Sequence, residues 1–260
     1  MTTSLRRYSL PVLVALGLVV SVSLTAIPDS HAALAAEAPV GLGNAGSFAV
    51  LAASTVTNTG PTVVSGDLGV NAGSAVTGFP PGIVTNGAQH ATDTLSGLAQ
   101  HDLVTAYNDA AGRTPTQPVP AALDGKTLVP GVYAGGVLQL NGGTLTLNGT
   151  ANDVFIFQAA SELTVMSGSK VALIGGASAC NVFWKVGSSA TIGTTASFVG
   201  TVMAQVSISV DNAAAVSGRL LARTGGVTMI NDVITRPTAC AVAAVGTPAT
   251  PVPGRARFTG

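Results

Sequence analysis

From residue 183 onward, apolar and polar positions alternate in short bursts that recur about every 18 residues. Residues 183–200 read FWKVGSSATIGTTASFVG, residues 201–218 read TVMAQVSISVDNAAAVSG, and residues 219–236 read RLLARTGGVTMINDVITR. Each turn holds three short alternating segments parted by Gly, Asn, Asp or Ser. Alternation with period two sends every second side chain inward. Three strands per turn describe a triangular parallel β-helix, in which one turn cannot bury its inner face alone and stacked turns build a continuous core. The chirality of parallel crossovers favours a right-handed coil. The inward positions are Val56, Leu163, Val165, Ala190, Ile192, Ile208, Val210, Val227 and Met229.

The same marks recur upstream. Thr144–Asn148 (TLTLN) and residues 170–175 (KVALIG) have strand length. Val64-Ser65-Gly66, Val76-Thr77-Gly78, Phe198-Val199-Gly200 and Val216-Ser217-Gly218 read as one corner type. Val154-Phe155-Ile156-Phe157 resembles Val182-Phe183-Trp184-Lys185, displaced by an insertion that carries Cys180. One segment departs from the pattern. Residues 88–111 repeat with the helical period, with Leu95, Leu98, Ala99, Leu103, Ala106, Tyr107 and Ala110 on one side, Gly112 at the stop and Pro115 beyond it. This predicts one amphipathic helix lying along a face of the solenoid. The fold class expected is therefore all-β with one long helix.

Aligning the middle strands of the turns places Thr55, Thr57, Thr164, Ser189, Thr191, Ser207, Ser209 and Thr228 on one outer face, with Glu162 the only carboxylate among them. Strands stack about 4.8 Å apart and alternate residues along a strand lie about 6.6 Å apart, so such a face is a fixed grid of methyls and hydroxyls. Thr is stiff at χ1 on a strand and loses little rotamer entropy on contact. Thr and Ser also suit any solvated strand, so the grid alone does not choose a ligand.

Composition narrows the choice. Charged residues make up 8% of the 260, aromatics 4%, and Lys+Arg and Asp+Glu balance at 11 each. A mean hydropathy of +0.52 argues against disorder. With no basic stripe, nucleic-acid binding has no electrostatic support. The start reads as an export signal: Arg6 and Arg7, an apolar run over 10–27, then Ser30-His31-Ala32. Cleavage is expected after Ala32, or after Ala36; the alternative is an uncleaved anchor. The expected organisation is a signal peptide at 1–32, a solenoid domain at 33–240 and a flexible tail at 241–260. Cys180 and Cys240, an even count in an exported chain, favour a disulfide over two separate buried thiols.

Catalytic chemistry finds little purchase. Asp67, Asp153, Glu162, Asp211 and Asp232 are scattered, and Asp211 and Asp232, each beside an Asn, read as corner residues accepting backbone hydrogen bonds. His90 and Asp93 stand three apart without an evident third ligand, and no nucleophile elbow is present. No enzyme activity, metal, cofactor or small-molecule substrate is expected, and a monomer is.

An ordered series of motifs carries a resemblance. It runs through residues 42–51 (LGNAGSFAVL), 54–60 (STVTNTG), 66–70 (GDLGV), 78–82 (GFPPG), 106–113 (AYNDAAGR), 128–133 (LVPGVY), 154–158 (VFIFQ), 180–184 (CNVFW) and 218–222 (GRLLA). Together these resemble the microbial ice-binding protein family with the discontinuous β-solenoid fold. The resemblance implies three faces beside one long helix, with the N-terminal strands inside the stack rather than capping it. It also implies ice as the partner, bound through one flat face often bearing Thr-Ala/Gly-x-Thr/Asn patterns. The match is partial: Val56 stands where Ala or Gly is expected, Val227 follows Thr224-Gly225-Gly226, and Ser207 and Ser209 replace Thr. The rival expectation is a surface adhesion or structural module built on the same regular faces.

Overall fold

Every strand pairing is parallel, and the strands stack into the three long faces of one solenoid. The structure is a computed structural model describing residues 37–238 and residue 240. The signal-peptide and tail expectations lie outside those residues.

The first strand of each coil builds a first face, running from Gln89–Ala91 through Asp67–Val70, Phe48–Ala52, Val182–Val186, Phe155–Ala159 and Gly131–Gly135 to Gln117–Pro118. The second face is a separate seven-stranded sheet: Leu138–Leu140, Leu163–Val165, Ala190–Ile192, Ile208–Val210, Val227–Ile230, Thr55–Thr59 and Ala75–Thr77. The third face holds strands such as Thr144–Asn148, Lys170–Ile174, Val233–Thr235, Val63–Ser65 and Ile83–Thr85. Two eight-residue strands, Ser197–Ala204 and Ala215–Ala222, turn the corner from third face to first. A side chain cannot fit at that corner: a Cβ on Gly218 would lie 1.8 Å from the carbonyl oxygen of Gly200.

The stacking order is not the chain order. Residues 48–91 build one end, a helix carries the chain away, and residues 117–235 climb back to meet that end. The join is made by Val50↔Leu220, Thr57↔Thr228 and Val233↔Val63. Thr55–Thr59 is therefore internal, paired on both sides, as expected. Ala75–Thr77 is terminal, so the second N-terminal coil does cap the stack, against the expectation.

The inward residues predicted from alternation are all buried. Among them runs an aromatic ladder in which Phe157 stacks on Trp184 at 4.0 Å and on Tyr133 at 5.4 Å. The ladder needs Phe155 opposite Val182 and Phe157 opposite Trp184. That register is one residue away from the motif likeness read in sequence, and a one-residue slip would have sent these rings to the wrong face.

The helix spans Thr94–Gly112, not 88–111. Gln89–Ala91 pairs with Leu68–Val70 as a last strand, and Asp93 then caps the helix by accepting from the Ser96 N–H at 2.8 Å. It buries Ala99, Leu103, Ala106, Tyr107 and Ala110 on the outer side chains of the first face, among them Val132, Ile156, Phe183, Met203 and Leu221. Alanines on this side let helix and sheet approach closely. Leu98, expected on the packed side, is half-exposed. The corner motif also divides: three of its four examples lead from third face to first, whereas Val76-Thr77-Gly78 ends a second-face strand.

Candidate functional site

The second face gathers the predicted hydroxyl residues. Its strands alternate inward and outward without a break, as in the exposed–buried pattern of Thr55–Thr59. The register then places Gln139, Thr164, Thr191, Ser209, Thr228, Thr57 and Thr77 in one straight outward file. The backbone repeat sets neighbouring members about 4.8 Å apart. Within the file the Thr228 hydroxyl donates to the Ser209 hydroxyl at 3.2 Å, so adjacent rungs are linked.

A second file precedes the first by two residues on each strand: Val137, Glu162, Ser189, Ser207, Gly226, Thr55 and Ala75. Ser189 and Ser207 are only half-exposed here. Their hydroxyls accept from the backbone N–H of Ser207 and Gly226 in the next coil, so they brace the face as much as present it. Gly226 interrupts the hydroxyls for a steric reason: a Cβ there would sit 2.8 Å from Thr55 Oγ1, where the N-terminal coil docks. On the other side Thr59 and Ile230 are exposed neighbours, paired in register. All eight predicted residues thus belong to one face. Sequence reasoning missed Thr59, Thr77 and Gln139. The Val76-Thr77 alternation was a usable signal, obscured by its likeness to a corner.

Charge is confined to the edges. Glu162 stands at the start of its strand and Asp211 follows Val210 at the opposite rim. Asp232 is buried and takes the corner role expected: its carboxylate accepts from Ala214 N–H at 2.9 Å and Ile230 N–H at 2.7 Å. Burial, aided by the Asp211 charge, pushes its pKa up to about 6 against those two donors. His90 lies between Asp93, at 2.6 Å, and Asp67, at 3.7 Å. The Ser96 N–H and then His90 hold the Asp93 carboxyl down at about 2, consistent with a helix cap. Among the described residues no group of three or more His, Cys, Asp or Glu is placed to hold a metal. Cys180 and Cys240 are joined in a disulfide.

Fold and surface together define a discontinuous parallel β-solenoid with one face sealed by a helix and another left open, flat and rich in hydroxyls. The family model described as Ice-binding-like matches residues 50–235, and the chain belongs to that family. It is 45% identical over 192 residues to an ice-binding protein of Nostoc sp. (strain HG1), covering 72% of this chain and 71% of the relative. An ice-binding protein of Colwellia sp. is 37% identical over 219 residues, covering 76% and 84%. Among solved structures, an ice-binding protein from an Antarctic biological consortium superposes with a TM-score of 0.75 at 44% identity, covering 77% of this chain and 92% of that one. That of the Antarctic ascomycete Antarctomyces psychrotrophicus gives 0.74 at 39%, covering 77% and 100%.

Proposed function

We propose that this protein is exported and adsorbs to ice through the second face, slowing ice growth or recrystallisation. The observation that carries the reading is the straight file Thr164, Thr191, Ser209, Thr228 and Thr57, held in register by parallel pairing. Ice is a solid lattice of water, so binding it takes many weak contacts at fixed spacing rather than one deep pocket. The Thr methyl orders adjacent water while the hydroxyl anchors it. Thr55, Thr57, Thr164, Thr191, Ser209 and Thr228 are the contacts, flanked by Ser189 and Ser207 and extended by Thr59 and Thr77. The protein acts as a monomer, without cofactor or small-molecule substrate, and is not an enzyme. Export is supported by the apolar run at 10–27 with its Ser30-His31-Ala32 end, and by the disulfide, which suits an oxidising compartment. The adhesion or structural module finds no support among the relatives, which carry ice-binding names.

The test is ice-crystal morphology and thermal hysteresis in a nanolitre osmometer. Shaped crystals with hysteresis are expected, and Thr191→Tyr, a bulky ring in the middle of the file, should abolish both. Round, freely growing crystals from the unsubstituted protein would overturn the reading.

A further inference from the structure

Away from the open face, a cavity of about 550 Å³ lies where the chain enters and leaves the solenoid. Its walls are largely apolar: Val40, Leu42, Phe183, Pro237 and the Cys180–Cys240 bridge. Two arginines, Arg219 and Arg236, also line it.

Arg219 is only 3% exposed. Its Nε donates to Gly46 O at 3.1 Å and its Nη1 to Thr201 Oγ1 at 3.3 Å. Its Nη2 has only long contacts, 3.5 Å to Pro237 O and 3.9 Å to Cys240 Sγ. Every one of these partners is neutral. Arg236 is half-exposed; only its Nε is buried, beside Gly66, without a hydrogen-bond partner. Among the described residues neither guanidinium forms an ion pair. Asp102, beside Gly43 in the wall, is already engaged by the Asn44 backbone and side-chain nitrogens, each at 2.7 Å. Residues 241–260, which follow Cys240 in the chain, contain no Asp or Glu. A buried charge is costly unless paired. Burial and then the charge of Arg236 accordingly pull Arg219 down to about 10. Arg219 is thus a buried cation at the wall of an apolar cavity with no anion beside it among the described residues, and the half-exposed Arg236 adds a second positive charge there.

We propose that this cavity binds a monocarboxylate with a short apolar body, its carboxylate taken by Arg219 Nη2 and drawn by the positive charge of the half-exposed Arg236, and its body packed on Val40, Leu42 and Phe183. A guanidinium presents planar donors that match a carboxylate. The apolar walls favour a singly charged head with a hydrocarbon portion over a fully hydrated inorganic anion.

The experiment is a thermal-unfolding titration of the oxidised, full chain with hexanoate, phosphate and chloride at matched ionic strength. Hexanoate should raise the melting temperature saturably, by on the order of 5 °C at about a hundredfold excess over its dissociation constant. Phosphate and chloride should not. Arg236→Gln should remove the hexanoate response. Should that variant fold poorly, Leu42→Trp, which fills the cavity from a half-exposed wall position, should do the same. No saturable rise, an equal rise with phosphate, or an unchanged response in Leu42→Trp would each overturn the proposal. The readout is independent of ice, so it stands or falls apart from the open face.

Discussion

The first and second faces are built from the same parallel coils, yet one is hidden and the other open. On the first face the outward side chains include Val132, Ile156, Phe183, Met203 and Leu221, and a helix covers these. On the second face the corresponding positions are Thr164, Thr191, Ser209, Thr228 and Thr57, and the residues stay at the surface. The backbone is indifferent to the choice, because alternation presents one side chain in two to the outside on either face. The outward residue type decides it. Large apolar groups gain roughly 1.5–3 kcal/mol each by leaving water, enough to recruit an amphipathic helix. A short hydroxyl gains little from burial and so stays at the surface.

The sharpest way to break this contrast is to weaken the cover. Leu103→Ala removes a fully buried contact of the helix with the first face and should cost about 2–5 kcal/mol in urea unfolding. Molecules that remain folded should still shape ice, because the second face does not depend on the helix. A loss of shaping at full folding would show that the faces are coupled. Next comes a matched pair on exposed positions. Thr191→Tyr and Ser217→Tyr, the latter outward on the third face, should each change stability by less than about 0.5 kcal/mol. Only the former should remove hysteresis; equal behaviour would mean the wrong face has been assigned.

A smaller gain should come from Glu162→Thr. The carboxylate is exposed and precedes the Leu163–Val165 strand at the rim of the grid. Replacing it extends the hydroxyl pattern, and hysteresis at equal concentration should rise modestly. Unchanged hysteresis would put the contact area nearer Thr57 and Thr228.

The smallest effect is on pH. The Asp232 carboxyl, held near 6 by burial, binds its proton more readily folded than unfolded. Its contribution therefore favours folding at low pH and is lost as pH rises through about 6. The urea midpoint should rise between pH 7 and pH 5, and Asp232→Asn should flatten that slope.

Much of this was legible because the turns from residue 183 to 236 keep a nearly constant length. Thr191 and Ser209 fall opposite one another when those turns are written in rows, and the structure pairs them so. Earlier coils vary in length, through the insertion before Val182 and the segment around Pro80, so there the rows recover Thr55, Thr57 and Thr164 but not every strand. Thr77 was read as a corner and Gln139 not at all, although both continue the same file. The helix start was misplaced because Gln89–Ala91 can be counted on a helical face, yet it completes the sheet beside Leu68–Val70. The Arg219 and Arg236 pairing across one cavity had no sequence signal.

Taken alone, the chain determined its coil type, its alternation of inside and outside, and the hydroxyl chemistry of one outer face, because these are local periodicities. Tertiary structure decided the order of the coils. Val227–Ile230 closes on Thr55–Thr59 across most of the domain, so the open face is made continuous from two distant stretches of chain. That pairing follows from the need to cover the inner faces and strand edges of both halves at once, a condition no single window of sequence contains.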